Sequence, residues 1–202
     1  METFFSIIIL IFSVVIHEFS HGYMANKLGD PTAKLAGRLT LNPTKHLSLF
    51  GSFIFPLMMY IAGGPIFGWA KPVPYNPYNI KNKYGDALVA IAGPGSNLLV
   101  ALIFGFLIRL NFSLNFLNDS FLNIFTIIVF INIILAIFNL IPIPPLDGSK
   151  ILFNFLSSRY VYIKEFFERY GLFLIVFFIF FLWKLLLPFV YWIFSALTGL
   201  SA

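Results

Sequence analysis

Residues 4–25 read FFSIIILIFSVVIHEFSHGYMA. The stretch is long and apolar enough to cross a bilayer as one helix, yet its second half carries His17, Glu18 and His21. On a helix, residues four apart project from one face, so His17 and His21 can grip one divalent ion. Glu18, one step round, can then take a proton from a metal-bound water. Two imidazoles and a carboxylate are costly in hydrocarbon. Their place inside a span points to a functional site more than to a polar stripe that only packs on a neighbour. Ser6, Ser13 and Ser20 fall near the same stripe, which should face inward, with the apolar remainder toward lipid.

The rest of the chain agrees with that setting. Of 202 residues, 59% are hydrophobic and 10% charged, a composition of polytopic membrane proteins and not of soluble domains. The absence of cysteine excludes disulfides, thiolate-bound zinc and a thiol nucleophile. Any metal must therefore rest on His, Asp and Glu, and the histidines are His17, His21 and His46. The formal charge of +5 comes from basic residues between apolar runs, which speaks for membrane topology and against a nucleic-acid partner. No cleavable signal peptide is expected: the N-terminus lacks a basic region, and the first apolar segment holds the histidines.

The expected fold is an all-α polytopic membrane protein, with about four transmembrane helices plus a re-entrant hairpin and short membrane-surface β segments. The spans are 3–25, 87–110, 121–141 and 171–197. The last holds Lys184 and Pro188 and reads as one tilted or kinked helix. The run 49–63 contains Pro56; at about fifteen residues it is short for a crossing. Residues 38–42 alternate polar and apolar, as a short surface strand would. Residues 149–157 suit a short amphipathic helix, and 158–170 are polar and mixed in charge. One domain is expected, with its core at about 3–157 and a C-terminal helix at about 171–198.

A catalytic zinc site takes three protein ligands and keeps one position open. Asp147 follows the proline-rich stretch 142–146 and precedes Gly148, where extended backbone can aim a carboxylate inward. It would equally suit the N-cap of the following helix. The H-E-x-x-H pattern in another span, and the lack of another acidic residue in a comparable setting, favour the ligand role. His46 is the rival ligand, in a loop where a histidine is more often solvated. A metzincin pattern fails, because Lys27 stands six residues after His21.

If Asp147 reaches His17 and His21, the first helix and the third span end on one side, and 28–85 begins and ends there. The run 49–63 is then re-entrant and packed against protein. That side receives Lys27, Lys34, Arg38, Lys45, Lys71, Lys81, Lys83, Lys150, Arg159, Lys164 and Arg169, 11 of the 13 basic residues. Positive-inside bias makes it cytoplasmic.

His17-Glu18-x-x-His21, Ala92-Gly93-Pro94-x-x-Asn97 and Asn139-x-x-Pro142-x-Pro144-x-x-Asp147-Gly148, in that order, resemble the site-2 protease family of intramembrane zinc metalloproteases. Residues 42–46 and 68–74 resemble its compact bacterial and archaeal branch. The resemblance covers about 10–155 and implies one Zn²⁺ held by His17, His21 and Asp147, with Glu18 as general base. It implies that Asn139 holds the substrate backbone or the developing oxyanion, and that Asn97 serves helix packing. The resemblance also implies a transmembrane protein or peptide as substrate and a place in a bilayer, expected to be a prokaryotic cell membrane with the site open to the cytoplasm. Ser48 departs from the family, which has an acidic residue two after the loop histidine. No PDZ or CBS domain is expected in these residues. The competing class is a transporter or metal-handling protein whose His, Glu and Asp line an ion path.

Overall fold

The structure is a computed structural model describing residues 2–54, 58, 61, 70–156 and 160–200. Its helices are α1 (Glu2–Lys27), α2 (Thr32–Leu35), α3 (Gly85–Leu114), α4 (Asp119–Asn139), α5 (Asp147–Phe155), α6 (Val161–Phe177) and α7 (Trp183–Thr198). A π-helical turn, Phe178–Leu182, joins α6 to α7. Four stretches are long and apolar enough to cross a membrane: Phe4–Lys27, Gly85–Leu114, Asp119–Asn139 and Val161–Thr198.

Each span stops where the sequence supplies a stop. After α1 the chain reverses at Gly29, whose φ of 107° is open to glycine and strained for other residues. Asn115 ends α3 in the left-handed region, and Asn118 caps α4 by accepting from the Phe121 N–H at 3.0 Å. Helix α3 is central and packs on α1, α4, α5 and α7. Its Ala101 and Ile108 meet Val129, Ile133 and Ile137 of α4 and Val190 and Phe194 of α7 in the buried core. At the far end, Arg109 donates to the carbonyls of Leu197 at 2.9 Å and Ala196 at 2.6 Å, closing the last turn of α7. Large apolar side chains such as Phe12, Leu99, Phe106, Leu172 and Trp192 are exposed around the bundle, as lipid-facing residues are.

The order of turns places the end of α1, the start of α3, the end of α4 and all of α5 together, as the reach of Asp147 requires. Three features differ from the sequence expectation. First, no strand forms among the described residues, and 38–41 runs through a bend. Arg38 uses its guanidinium to bind the carbonyls of Lys71 at 2.9 Å and Pro72 at 3.3 Å, and Pro72 and Pro74 lack the N–H groups a ladder needs. Second, the polar stretch before the last span is largely helical, because α6 begins at Val161. Its pairs four apart, Lys164–Glu168 at 3.8 Å and Phe166–Tyr170 with centroids 4.9 Å apart, support it. Third, 49–54 forms a π-helical turn; the re-entrant run otherwise falls mostly outside the described residues, as do Gly68 and Trp69.

Candidate metal centre

Helix α1 carries His17 and His21 one turn apart, and both are buried. The turn 140–146 then delivers Asp147 at the first position of α5. Gly148 makes this approach possible: a Cβ there would collide with the carbonyl oxygens of Leu140 and Ile141. Leu146 occupies the N-cap, and the Asp147 carboxylate faces the imidazoles instead of capping its helix. Asp147 Oδ2 lies 3.1 Å from His17 Nε2 and 3.1 Å from His21 Nε2, and the two Nε2 atoms are 3.0 Å apart.

The outer nitrogens decide what this triangle can hold. His21 Nδ1 lies 2.7 Å from the Val89 carbonyl, which can only accept, so Nδ1 carries the hydrogen and Nε2 presents a lone pair. His17 Nδ1 donates to Asn97 Oδ1 at 2.6 Å, leaving its Nε2 in the same condition. Each of the three residues thus offers one atom able to present a lone pair toward a common point, an arrangement that a cation would stabilise. Tetrahedral zinc with bonds of about 2.0–2.1 Å sets its ligands about 3.3 Å apart, close to the spacing found. Two imidazoles and one carboxylate also match zinc better than magnesium or calcium. Gly93 of α3 lies against both rings, where a Cβ would come within 2.6 Å of His17 Nε2.

Glu18 stands beside this triangle. Its Oε2 accepts the Val73 N–H at 2.8 Å. A cleft of about 130 Å³ opens here, lined by Glu18, the three converging residues, Val73, Tyr75, Asn139 and Lys150 among others. Its roof is the segment 71–79, tied down from below. Lys71 N–H donates to the His46 carbonyl at 2.8 Å. Asp30, fully buried, accepts from Asn76 N–H at 2.7 Å, Asn79 Nδ2 at 2.7 Å and the Thr32 hydroxyl at 2.6 Å. Burial alone raises a carboxyl pKa, but these donors, led by Thr32, outweigh it and hold Asp30 below the usual range. Burial, with Asp86 and Asp147 nearby, pushes the Tyr75 phenol up to about 12, so it stays neutral. Lys150 Nζ lies 3.8 Å from Asp147 Oδ1 and 5.4 Å from the Tyr75 ring centre.

The structure therefore brings together His17, Glu18, His21, Asp147 and Asn139. Asn139 lines the cleft while its Nδ2 donates to the Leu135 carbonyl at 2.9 Å. His46 stays apart. It is buried, not solvated, and its Nε2 donates to the Thr40 carbonyl at 2.7 Å. Asn97, expected to serve helix packing, also meets His17, with its Oδ1 2.6 Å from Nδ1. Asn132 escaped the sequence reading altogether. It is fully buried and bonds Asn97 at 2.8 Å. An asparagine amid apolar residues of a span was the available signal.

Fold and site together define a helical membrane protein with a buried cluster of His17, His21 and Asp147 that could hold a metal ion. The family model "Peptidase family M50" matches residues 5–118 and 112–182, and the chain belongs to that family, the site-2 proteases. It is an integral membrane protein. YwhC of Bacillus subtilis is 43% identical over 152 residues, covering 72% of this chain and 66% of that protein. Rip2 of Mycolicibacterium smegmatis is 29% identical over 136 residues, 67% of this chain and 51% of that protein. MJ0611 of Methanocaldococcus jannaschii is 33% identical over 159 residues, 73% and 72% of the two chains. All three carry the words zinc metalloprotease in their names. The chain spans between half and just under two thirds of the length of YwhC and Rip2. No solved structure matches it significantly.

Proposed function

We propose that this chain is an intramembrane zinc metalloprotease that hydrolyses peptide bonds in or near transmembrane segments of membrane proteins. The observation that carries the proposal is the convergence of three potential ligand atoms, from His17, His21 and Asp147, beside Glu18 in one cleft. His17, His21 and Asp147 would hold the zinc, which when bound supplies a Lewis acid for a hydrolytic water and for the scissile carbonyl.

The chain's own groups do the rest. Glu18 accepts the water's proton as oxygen attacks the carbonyl carbon, and passes it to the amine as the C–N bond breaks. The Val73 N–H occupies Oε2, which orients the carboxylate and leaves Oε1 for this exchange. The Asn139 amide, on the cleft wall, offers a donor to the backbone or to the carbonyl oxygen as charge builds. The catalytic core is about 3–157, with the C-terminal helix beside it. Substrate must unwind locally, because helical carbonyls are hydrogen-bonded and shielded. The run 49–63, re-entrant from the cytoplasmic side of a prokaryotic membrane, is where an extended substrate segment would be held.

The ion-path alternative gives no role to a carboxylate anchored beside, and not within, the donor triangle. The test is cleavage of model transmembrane substrates in detergent by the wild type and Glu18→Gln, with zinc quantified in both. The variant is expected to keep its zinc and lose about 100- to 10,000-fold in rate. Equal cleavage by both would reject Glu18 as the base.

A further inference from the structure

The Nδ1 proton of His17 rests on an asparagine, and an amide can present either its oxygen or its NH₂. Something must decide which. The decision can be followed atom by atom. Asn97 Nδ2 lies 3.2 Å from the Ser13 backbone carbonyl and 2.8 Å from Asn132 Oδ1. Asn132 Nδ2 in turn lies 2.9 Å from the Ile128 carbonyl and 2.9 Å from the Ser13 hydroxyl oxygen. Backbone carbonyls only accept, so each of these nitrogens must be the NH₂ end. Asn132 therefore turns its oxygen to Asn97, and Asn97 turns its oxygen to His17 Nδ1.

We infer that Asn132 is a positioning residue for the metal centre: acting through Asn97, and together with the Ser13 carbonyl, it biases His17 to the tautomer whose Nε2 lone pair points at the ion. The inference rests on the proposed metal-binding role of His17. Asn132 touches neither the cleft nor any of the three converging atoms, and it sits on α4, whereas His17 is on α1 and Asn97 on α3. Both asparagines are fully buried, within apolar spans where a lost hydrogen-bond partner is costly. Every amide hydrogen in the chain of bonds is used. An unsatisfied amide here costs more than at a surface, which makes this orientation the stable one. Removing Asn132 takes away the shorter of the two bonds to Asn97 Nδ2 and leaves the 3.2 Å bond to the Ser13 carbonyl, so the flipped amide becomes populated. Its NH₂ can then face Nδ1, the proton moves to Nε2, and the lone pair is lost from the metal side. Partners one bond beyond a ligand commonly change metal affinity about 10- to 100-fold.

The test uses the full-length protein in detergent, with ¹⁵N-labelled histidine. Its three histidines are distinguishable by single substitutions. In the metal-free wild type, His17 is expected as the Nδ1–H tautomer. In Asn132→Leu an Nε2–H population is expected, with His21 unchanged because Val89 holds it independently. Zinc affinity, measured by chelator competition, should fall about 10-fold. On the His17 tautomer, Asn97→Leu combined with Asn132→Leu should do no more than Asn97→Leu alone, because Asn132 reaches the His17 ring only through Asn97, its bond to the Ser13 hydroxyl touching α1 but not the ring. An unchanged His17 tautomer in Asn132→Leu, or a larger tautomer shift in the double variant than in Asn97→Leu alone, would overturn the inference. Asn132→Gln provides a second variant should the leucine fail to fold: keeping Nδ1–H on His17 in equal measure with a displaced amide would also count against it. A wild type that binds no zinc would sink the functional proposal, while the tautomer measurement would still decide the role of Asn132.

Discussion

His17, Glu18 and His21 were legible because a helix repeats every 3.6 residues and a span is apolar, so three polar groups at that spacing stand out. Asp147 was legible only as a candidate. Which way its carboxylate turns depends on Gly148 admitting the carbonyls of Leu140 and Ile141, a contact between residues that local sequence cannot weigh. His46 and Asp30 look like ordinary loop residues, and their burial comes from segment 71–79 folding back over them. Asp30 gives a residue-scale prediction. Its folded carboxyl is held below the unfolded value, so its stabilisation is full above about pH 4 and is lost as pH falls through the lower folded value. Asp30→Asn should melt several degrees below the wild type at neutral pH, with the gap closing in acid. A pH-independent gap in thermal melts would contradict this account of Asp30.

At the scale of elements, α3 is the scaffold against which α1 is set. Gly93 is where the two come closest to the chemistry, because its missing side chain is the space the imidazoles occupy. Gly93→Ala should therefore fold yet carry at least about 10-fold weaker zinc binding, since the Cβ displaces both rings from the donor triangle. Zinc content measured against thermal stability checks this; unaltered zinc affinity would mean the rings have room to spare. Helix α6 makes a comparable close approach, with Gly171 against the Pro144 carbonyl, and so ties the last span to the turn that carries Asp147. The spans themselves were readable from hydropathy. The strand expected near 38–41 was not found, because alternation describes a pattern of side chains and says nothing about the prolines opposite.

For the molecule as a whole, one side of the bundle gathers the metal centre, its roof and most of the basic residues. The native chain has no cysteine, so single introduced cysteines report sidedness cleanly. Lys34→Cys and Lys81→Cys should resist a membrane-impermeant maleimide in intact cells, and Phe116→Cys should react. Labelling of Lys81→Cys but not Lys34→Cys from outside would mean that 49–63 crosses, and labelling of both that the bundle is inverted; either result would show the proposed topology to be wrong.

All of this turns on whether His17, His21 and Asp147 hold one zinc. Zinc K-edge X-ray absorption on the purified protein tests that most directly. The account predicts one zinc per chain, bound by two imidazole nitrogens and by oxygen at about 2.0–2.2 Å, with the signal lost in Asp147→Ala. A spectrum lacking imidazole, or one unchanged in Asp147→Ala, would contradict it.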